Sequence, residues 1–420
     1  MPDLALDLPA FDRRLSPSAS APIAVAYSGG GDSLAALIAT QLWAQRRGRP
    51  VLALHVDHGL QPASGDWARL AAQTAARLGV AFRGLAWVGD KPRHGLPAGA
   101  RSARHRLIAE AAREAGASTV VFGHTADDEL EAALMRGQGS NLGRLAEWRP
   151  SPAWPEGRGL FLLRPLLGLR RAEIRRRLDP FGLAWIEDPA NGDLRSLRAR
   201  ARARLAEAGE IEPADVAIAD PELAELARSA RIDAAGAICL ERARLLAAAP
   251  LVARRFLSAA LVCVSGGARP PRQAALQALL TRLAESAPVV ATLAGARLSA
   301  DRNILIARES GSYRRHGAPE ARLAAGAVAI WDGRFELSAV DGAVWAVRPL
   351  AGIAAKLNEK QKLSLHQWPR EVRGSLPAVV DEHGHVTCPI LAGAGAVTAK
   401  SLVSDRLNGA CGVISREPTT

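Results

Sequence analysis

The hexapeptide Ser28-Gly29-Gly30-Gly31-Asp32-Ser33 constrains the chain more than any other stretch. It follows a short apolar run, Ile23 to Tyr27, and opens Ser33 to Gln45, where Leu34, Leu37, Ile38 and Leu42 share one helical face. A strand that turns on glycines into a helix leaves unpaired N–H groups and a positive dipole end at the turn. With the hydroxyls of Ser28 and Ser33 alongside, this is a nest for phosphate. No Gly-Lys-Ser/Thr closes it, and the Gly-x-Gly-x-x-Gly spacing is absent, so it is neither a Walker loop nor a dinucleotide fingerprint.

The same alternation continues for about 145 residues. Strands are expected at Val51 to Val56, Val80 to Leu85 and Thr119 to Phe122, with helices at Trp67 to Leu78, Arg101 to Ala115 and from Asp127 to Met135. Strands separated by helices of this length predict an α/β domain with a parallel, doubly wound sheet. Prolines and glycines cluster between Trp148 and Gly159 and mark a break. A helix is expected over Arg171 to Phe181. Residues 222 to 286 read as helical, Val289 to Ala307 as strand-like, and Arg308 to Glu320 as a polar linker. The expected organisation is a catalytic domain over 1–205, a mostly helical middle domain over 206–318 and a small α+β C-terminal domain over 319–420.

Charge narrows the choice of partner. Lys and Arg total 54 against 42 acids, a net +12, and five of the 54 are lysines, leaving 49 arginines. GC-rich coding favours arginine, but an excess of twelve still suits a polyanion, because each phosphate contact releases counterions. Four cysteines make no disulfide framework. The first fifteen residues lack a basic start followed by an apolar run, and no uncharged stretch of about 18 apolar residues exists. The expectation is a soluble, cytoplasmic protein.

Further motifs fall where strands should end. His55-Val56-Asp57-His58-Gly59-Leu60 closes the second strand, and strand C-termini face the ligand crevice of a parallel sheet. Ala100-Arg101-Ser102-Ala103-Arg104-His105 places Arg101 and Arg104 three apart. Gly123-His124-Thr125-Ala126-Asp127-Asp128-Glu129-Leu130-Glu131 follows the fourth strand. His124, Asp128 and Glu131, at i, i+4 and i+7, sit on one helical face that can grip an amine or a magnesium ion. Met135 to Ser140, Arg164-Pro165-Leu166-Leu167 and Glu187-Asp188-Pro189-Ala190-Asn191 come downstream.

The Ser-Gly-Gly-x-Asp-Ser order resembles the pyrophosphate loop of the N-type ATP pyrophosphatases, and the whole series resembles the tRNA(Ile)-lysidine synthetases. The likeness is specific over the first 205 residues and weaker at Ala291 to Gly295 and Ile330 to Phe335. It implies a Rossmann-like fold of the adenine nucleotide alpha hydrolase type. It implies adenylation of the wobble cytidine (position 34) of a CAU-anticodon isoleucine tRNA at its C2 oxygen, then displacement of AMP by lysine. ATP is the implied co-substrate, with Mg²⁺. Ser28, Gly29, Gly30, Gly31, Asp32, Ser33 and Asp57 are implied for ATP, and Asp32 also for the metal. Asp128 and Glu131 are implied for the lysine ammonium, and His124 and Arg104 for the adenylated base. Arg195, Arg198, Arg200 and Arg202 are implied for tRNA phosphates; if the run is helical, Arg195, Arg198 and Arg202 fall together as a basic stripe. The family's usual Asn and Glu before the Ala-Arg helix are Gly95 and Gly99 here, its Arg-Asn is Arg198-Ala199, and a second His after Gly-His is Thr125.

Three other functions compete. A thiolase of the same superfamily needs reactive cysteines near the adenylate, and Cys239, Cys263, Cys388 and Cys411 all lie beyond the first domain. A small-molecule amide synthetase needs an ammonia source, and no glutaminase-like cysteine stands near the N-terminus. A non-catalytic tRNA-binding module would not need Asp32, His124, Asp128 and Glu131. His383-Gly384-His385 with Cys388 reads as a turn rather than a metal site, and Trp331, Trp345 and Trp368 as core. Removal of residues 320–420 is expected to weaken tRNA binding and to spare the fold of the first domain.

Overall fold

A computed structural model describes the chain apart from residues 1–3, 5, 7, 93, 139–142, 189–195, 208–219, 341, 393, 394, 419 and 420. It divides into two compact units, residues 1–219 with 414–420, and residues 220–413.

The first unit runs α1 (Pro9–Arg14), β1 (Ile23–Ala26), α2 (Gly31–Gln45), β2 (Val51–Asp57), α3 (Ser64–Arg77), β3 (Ala81–Ala86), α4 (Leu96–Glu114), β4 (Thr119–Phe122), α5 (Ala126–Gly137), β5 (Trp148–Pro150), β6 (Phe161–Leu163), α6 (Arg171–Leu178) and α7 (Leu197–Glu207). The strands form one sheet in the order β3-β2-β1-β4-β6-β5. Every pairing is parallel except that of the edge strand β5 with β6. The expected doubly wound domain is therefore present. The period of two sorts its core. Ile23 and Val25 join Leu34, Leu37 and Ile38 of α2 on one face, while Ala24 joins Ile108, Ala109 and Ala112 of α4 on the other. All four β4 residues are buried, as a strand covered on both faces requires.

Residues 414–417 return to this unit. The Ile414 carbonyl accepts from Trp148 Nε1 at 3.0 Å, and the Ser415 carbonyl accepts from Arg14 at 2.8 Å. Glu417 is buried against Arg49, whose Nη1 donates to Oε2 at 2.8 Å, and also accepts from Ser118 Oγ and the Ser16 amide. The expectation that residues 320–420 can be removed without cost to the first domain is thereby corrected. Such a truncation strips Arg49 of its buried counter-ion.

The second unit corrects the expectation of a mostly helical middle domain. Helices Pro221–Ser229, Pro250–Ser265 and Gln273–Ala284 are there, with Phe256, Leu257 and Leu261 buried along one stripe. They accompany a five-stranded antiparallel sheet, in the order Arg231–Ile232, Ile238–Glu241, Asn303–Arg308, Ala296–Ala300, Val289–Leu293. The physical reason is a tight turn inside the span read as helix. The Asp233 carboxylate accepts from the Ala237 amide at 2.8 Å, Gly236 takes φ +75°, and the chain reverses into a hairpin. The span read as a linker holds a helix, Ser312–His316, and Arg308 and Tyr313 both bond Asp332. Beyond it lie a four-stranded and a three-stranded antiparallel sheet. Trp331 is buried, and its indole donates to the Pro319 carbonyl at 2.8 Å. His383 and His385 are exposed on a turn around Asp381, whereas Cys388 is buried. Among the described residues no group of three potential ligands could hold a metal, and no helix is long and apolar enough to cross a membrane.

Candidate active site

The loop after β1 and the segment after β4 lie at the C-terminal ends of adjacent strands. Two sheet neighbours leave β1 in opposite directions there, which makes it the switch point of the sheet and the usual place for a ligand crevice. A cavity of about 1150 Å³ occupies it. Its lining includes Ser28, Gly30, Gly31, Asp32, Ser33, Asp57, His58, Arg104, His124, Asp128, Arg171, Arg175, Arg198 and Arg202.

The glycine loop is held by its own hydroxyls. Ser33 Oγ donates to the Gly30 carbonyl at 2.8 Å and accepts from the Ser28 amide at 3.2 Å. Gly29 has φ +87°, and a Cβ there would stand 2.2 Å from Ile186 Cδ1, so only glycine fits. Gly123 is required for a different reason. A Cβ on it would stand 2.4 Å from the Asp32 carbonyl, so the end of β4 touches the first turn of α2. This contact brings the two motifs together.

Asp32 Oδ2 accepts from Arg171 Nε at 2.8 Å, while Oδ1 is buried with no hydrogen-bond partner among the described residues. Burial raises the Asp32 pKa above the ordinary carboxylate value, against the pull of Arg171. Arg171 also reaches Asp128 Oδ1 at 3.4 Å and Glu131 Oε1 at 3.3 Å, and its amide donates to Asp127 at 2.7 Å. Arg198 pairs with Asp128 and, at 2.7 Å, with Glu131 Oε2, and Arg202 pairs with Glu131 Oε1 at 2.8 Å. Burial opposes ionisation of Glu131, but the bonds from Arg202 and Arg198 overcome it and hold the carboxyl below its usual range. Arg104 makes no hydrogen bond to a described residue. Its Nε is buried, and burial lowers its pKa to about 10, helped by Arg101 and Arg198. His58 Nδ1 is also buried without a partner. Asp57 Oδ1 is engaged by the Gly59 amide at 2.7 Å.

Comparison with known proteins agrees with this geometry. A family model described as a PP-loop domain matches residues 9–208. The tRNA(Ile)-lysidine synthase of Caulobacter vibrioides is 46% identical over 417 residues, covering 98% of each chain. That of Mesorhizobium japonicum is 37% identical over 79% of this chain and 76% of its own, and that of Rhizobium meliloti 33% over 88% and 82%. This chain belongs to the tRNA(Ile)-lysidine synthase family. Its first unit is the family's parallel α/β PP-loop, ATP-binding domain.

The structure gathers Ser28 to Ser33, Asp57, Arg104, His124, Asp128, Arg198 and Arg202 around one cavity or directly behind it with Glu131. It departs from the reading in two places, at His124 and at Arg198 with Arg202. His124 does not share a helical face with Asp128 and Glu131. Thr125 is the N-cap of α5, with its hydroxyl and amide both donating to Asp128 Oδ2, so His124 stands in the preceding loop. Arg198 and Arg202 turn inward onto the acids, whereas Arg200 is exposed. Gly95 caps α4 and lies outside the cavity lining. Arg195 and the stretch 189–191 lie outside the described residues. Arg171 was not anticipated, although among the described residues it is the one that bonds Asp32, Asp128 and Glu131 together. Among 49 arginines, nothing local marks it.

Proposed function

We propose that this chain joins lysine to C2 of the wobble cytidine, position 34, of an isoleucine tRNA with a CAU anticodon, converting ATP to AMP and diphosphate. The observation that carries the reading is the bridge made by Arg171. One guanidinium ties the acid of the ATP loop, Asp32, to the acid pair Asp128 and Glu131 in a single cavity. In the first step the cytosine C2 oxygen attacks the α-phosphorus and diphosphate leaves. In the second the lysine amine attacks C2, loses a proton, and the C2–O bond breaks to release AMP.

The chain's residues have defined tasks in this reading. The amides and hydroxyls of Ser28 to Ser33 hold the terminal phosphates. Asp57, at the end of β2, faces the nucleotide. The buried, unpartnered Oδ1 of Asp32 fits a Mg²⁺ shared with the phosphates, since Mg²⁺ takes one or two carboxylates and completes its shell from phosphate and water. Bound there, Mg²⁺ supplies charge neutralisation on the departing diphosphate. Asp128 and Glu131 hold the lysine ammonium, which takes an oxygen that an arginine occupies in this structure. Arg104, a donor without a protein partner, and His124 handle the base. Arg195 and Arg200, with residues 206–318 and 319–420, engage tRNA phosphates and shape, while Arg198 and Arg202 hold the acid pair. A thiolase reading finds no cysteine in the unit that holds the cavity.

The test is AMP and diphosphate release from ATP with unmodified CAU-anticodon isoleucine tRNA, with and without lysine. One lysine joined per AMP is expected. AMP formation indifferent to lysine would return the chain to another adenylating reaction.

A further inference from the structure

His55 on β2 and His124 after β4, the two strands that flank β1, line the same cavity, yet their imidazoles have opposite partners. His55 Nδ1 lies 3.0 Å from the Tyr27 carbonyl, which only accepts, so that nitrogen carries the proton. His124 Nδ1 lies 3.2 Å from Nε of Arg164, which only donates. A neutral imidazole has one N–H. If Nδ1 accepts, the proton is on Nε2. Nε2 makes no hydrogen bond to another described residue, and His124 lines the cavity.

Arg164 cannot readily turn away. It is 6% exposed, its Nη1 donates to the Ala146 carbonyl at 2.8 Å, and its backbone amide donates to the Glu147 carbonyl at 2.8 Å. The His124 ring is also fixed in plane. It stacks on Phe122 at 5.6 Å and 11°, and Phe122 also stacks on His105 at 5.4 Å and 29°. The groups around His124 are cationic: Arg164, Arg104, Arg101 and Arg198. Burial first, and these charges after it, keep the ring neutral.

We infer that Arg164 is a positioning residue that locks His124 in the Nε2–H tautomer, so that His124 serves the reaction as a hydrogen-bond donor to a substrate oxygen and not as a base. The inference rests on the proposed reaction for the role of His124, but not for its tautomer. A neutral donor aimed at an oxygen that gains charge stabilises it without a proton transfer. The oxygens that gain charge in the proposed steps belong to the α-phosphate and to the cytosine carbonyl. A protonated His124 would be a stronger donor, but a further positive charge buried beside Arg164 and Arg104 carries a desolvation cost.

The test uses the full-length chain labelled with ¹⁵N in histidine. Long-range ¹H–¹⁵N correlation spectra of the ligand-free protein should show His124 protonated at Nε2 alone, unchanged between pH 5.5 and 8.5. In Arg164→Met, which removes the donor to Nδ1, the ring should take both tautomers while staying neutral, because burial and the other arginines persist. His124 protonated at Nδ1 in the unsubstituted chain, or a spectrum unmoved by Arg164→Met, would overturn the inference. Turnover separates the tautomer from the role. His124→Gln, which keeps an N–H near the Nε2 position, should retain at least tenfold more AMP formation than His124→Asn. If the tautomer is as described but both variants turn over like the unsubstituted chain, the assigned donor role of His124 is wrong while the lock by Arg164 stands.

Discussion

The first unit contains two buried arginine–carboxylate clusters built from the same groups. In one, Glu417 meets Arg49, and Glu147 meets Arg13 and Arg14. Its carboxylate oxygens are all taken. Glu417 Oε1 accepts from Arg49, Ser118 and Thr119 and Oε2 from Arg49 and Ser16, while both oxygens of Glu147 accept from arginines. In the other, Arg171, Arg198 and Arg202 meet Asp32, Asp128 and Glu131, and the shell is left open. Asp32 Oδ1, Arg104 Nε and His58 Nδ1 have no partner. Each buried orphan costs about 1–3 kcal/mol. A cluster that tolerates three of them beside a cavity is arranged for a ligand, and a cluster with none is arranged to hold the chain. Composition does not separate a latch from a site. Saturation does.

Four tests press on this difference. The largest effect belongs to Glu417→Ala. Both Glu417 and Arg49 have side chains 1% exposed, so the variant leaves a buried guanidinium unpaired and should lose about 3–5 kcal/mol of stability in denaturant titration. Arg49→Met with Glu417→Leu should recover most of that loss. Next is Glu131→Gln, which removes the charge that three arginines share. The KM for lysine should rise about tenfold or more, while the KM for ATP changes less than twofold.

A smaller effect is read from pH. Arginine bonds hold Glu417 and Glu147 below the ordinary glutamate value of about 4.3. Their contribution is complete above that value and disappears as pH falls through the lower folded value. Asp32 is shifted upward by burial, so its contribution has the opposite sign, and stability from this group rises as pH falls through its folded value. Tm measured from pH 6 to pH 3 should therefore fall less steeply in Glu417→Gln than in the unsubstituted chain, and more steeply in Asp32→Asn. The smallest effect is that of Arg200→Ala on the exposed side of α7. It should lower the salt dependence of tRNA binding by about one counterion and leave turnover at saturating tRNA unchanged.

The fold of the first unit was legible because its signals are local. Alternating apolar runs, a glycine turn opening a helix, and motifs at strand ends all act within about ten residues, and Gly29 and Gly123 are glycines for contacts those motifs create. The acids and basic groups of the cavity were legible for the same reason, apart from Arg171. What was missed depends on pairing across the chain. Glu417 lies 368 residues from Arg49, and Arg164 lies 40 from His124. In a chain with 49 arginines, no spacing singles out the two that matter. Three strands of the second unit's five-stranded sheet fall in Val289 to Ala307, the span read as strand-like; the other two escaped because Arg231–Ile232 is two residues long and the turn after it carries no Asn-Gly or Pro-Gly pair. The apolar spacing of Pro250–Ser265 was read correctly and extended too far.

The most direct measurement is Asp32→Asn, assayed for both turnover and stability. It removes the one acid that combines a bond to Arg171 with an open oxygen on the ATP loop. Lysine-dependent AMP release should fall by about 10²–10³-fold, with Tm within about 2 °C of the unsubstituted chain and tRNA affinity unchanged. Turnover retained within a few-fold, or loss of turnover only in step with loss of Tm, would show that the open cluster is a second latch and that the catalytic centre lies elsewhere.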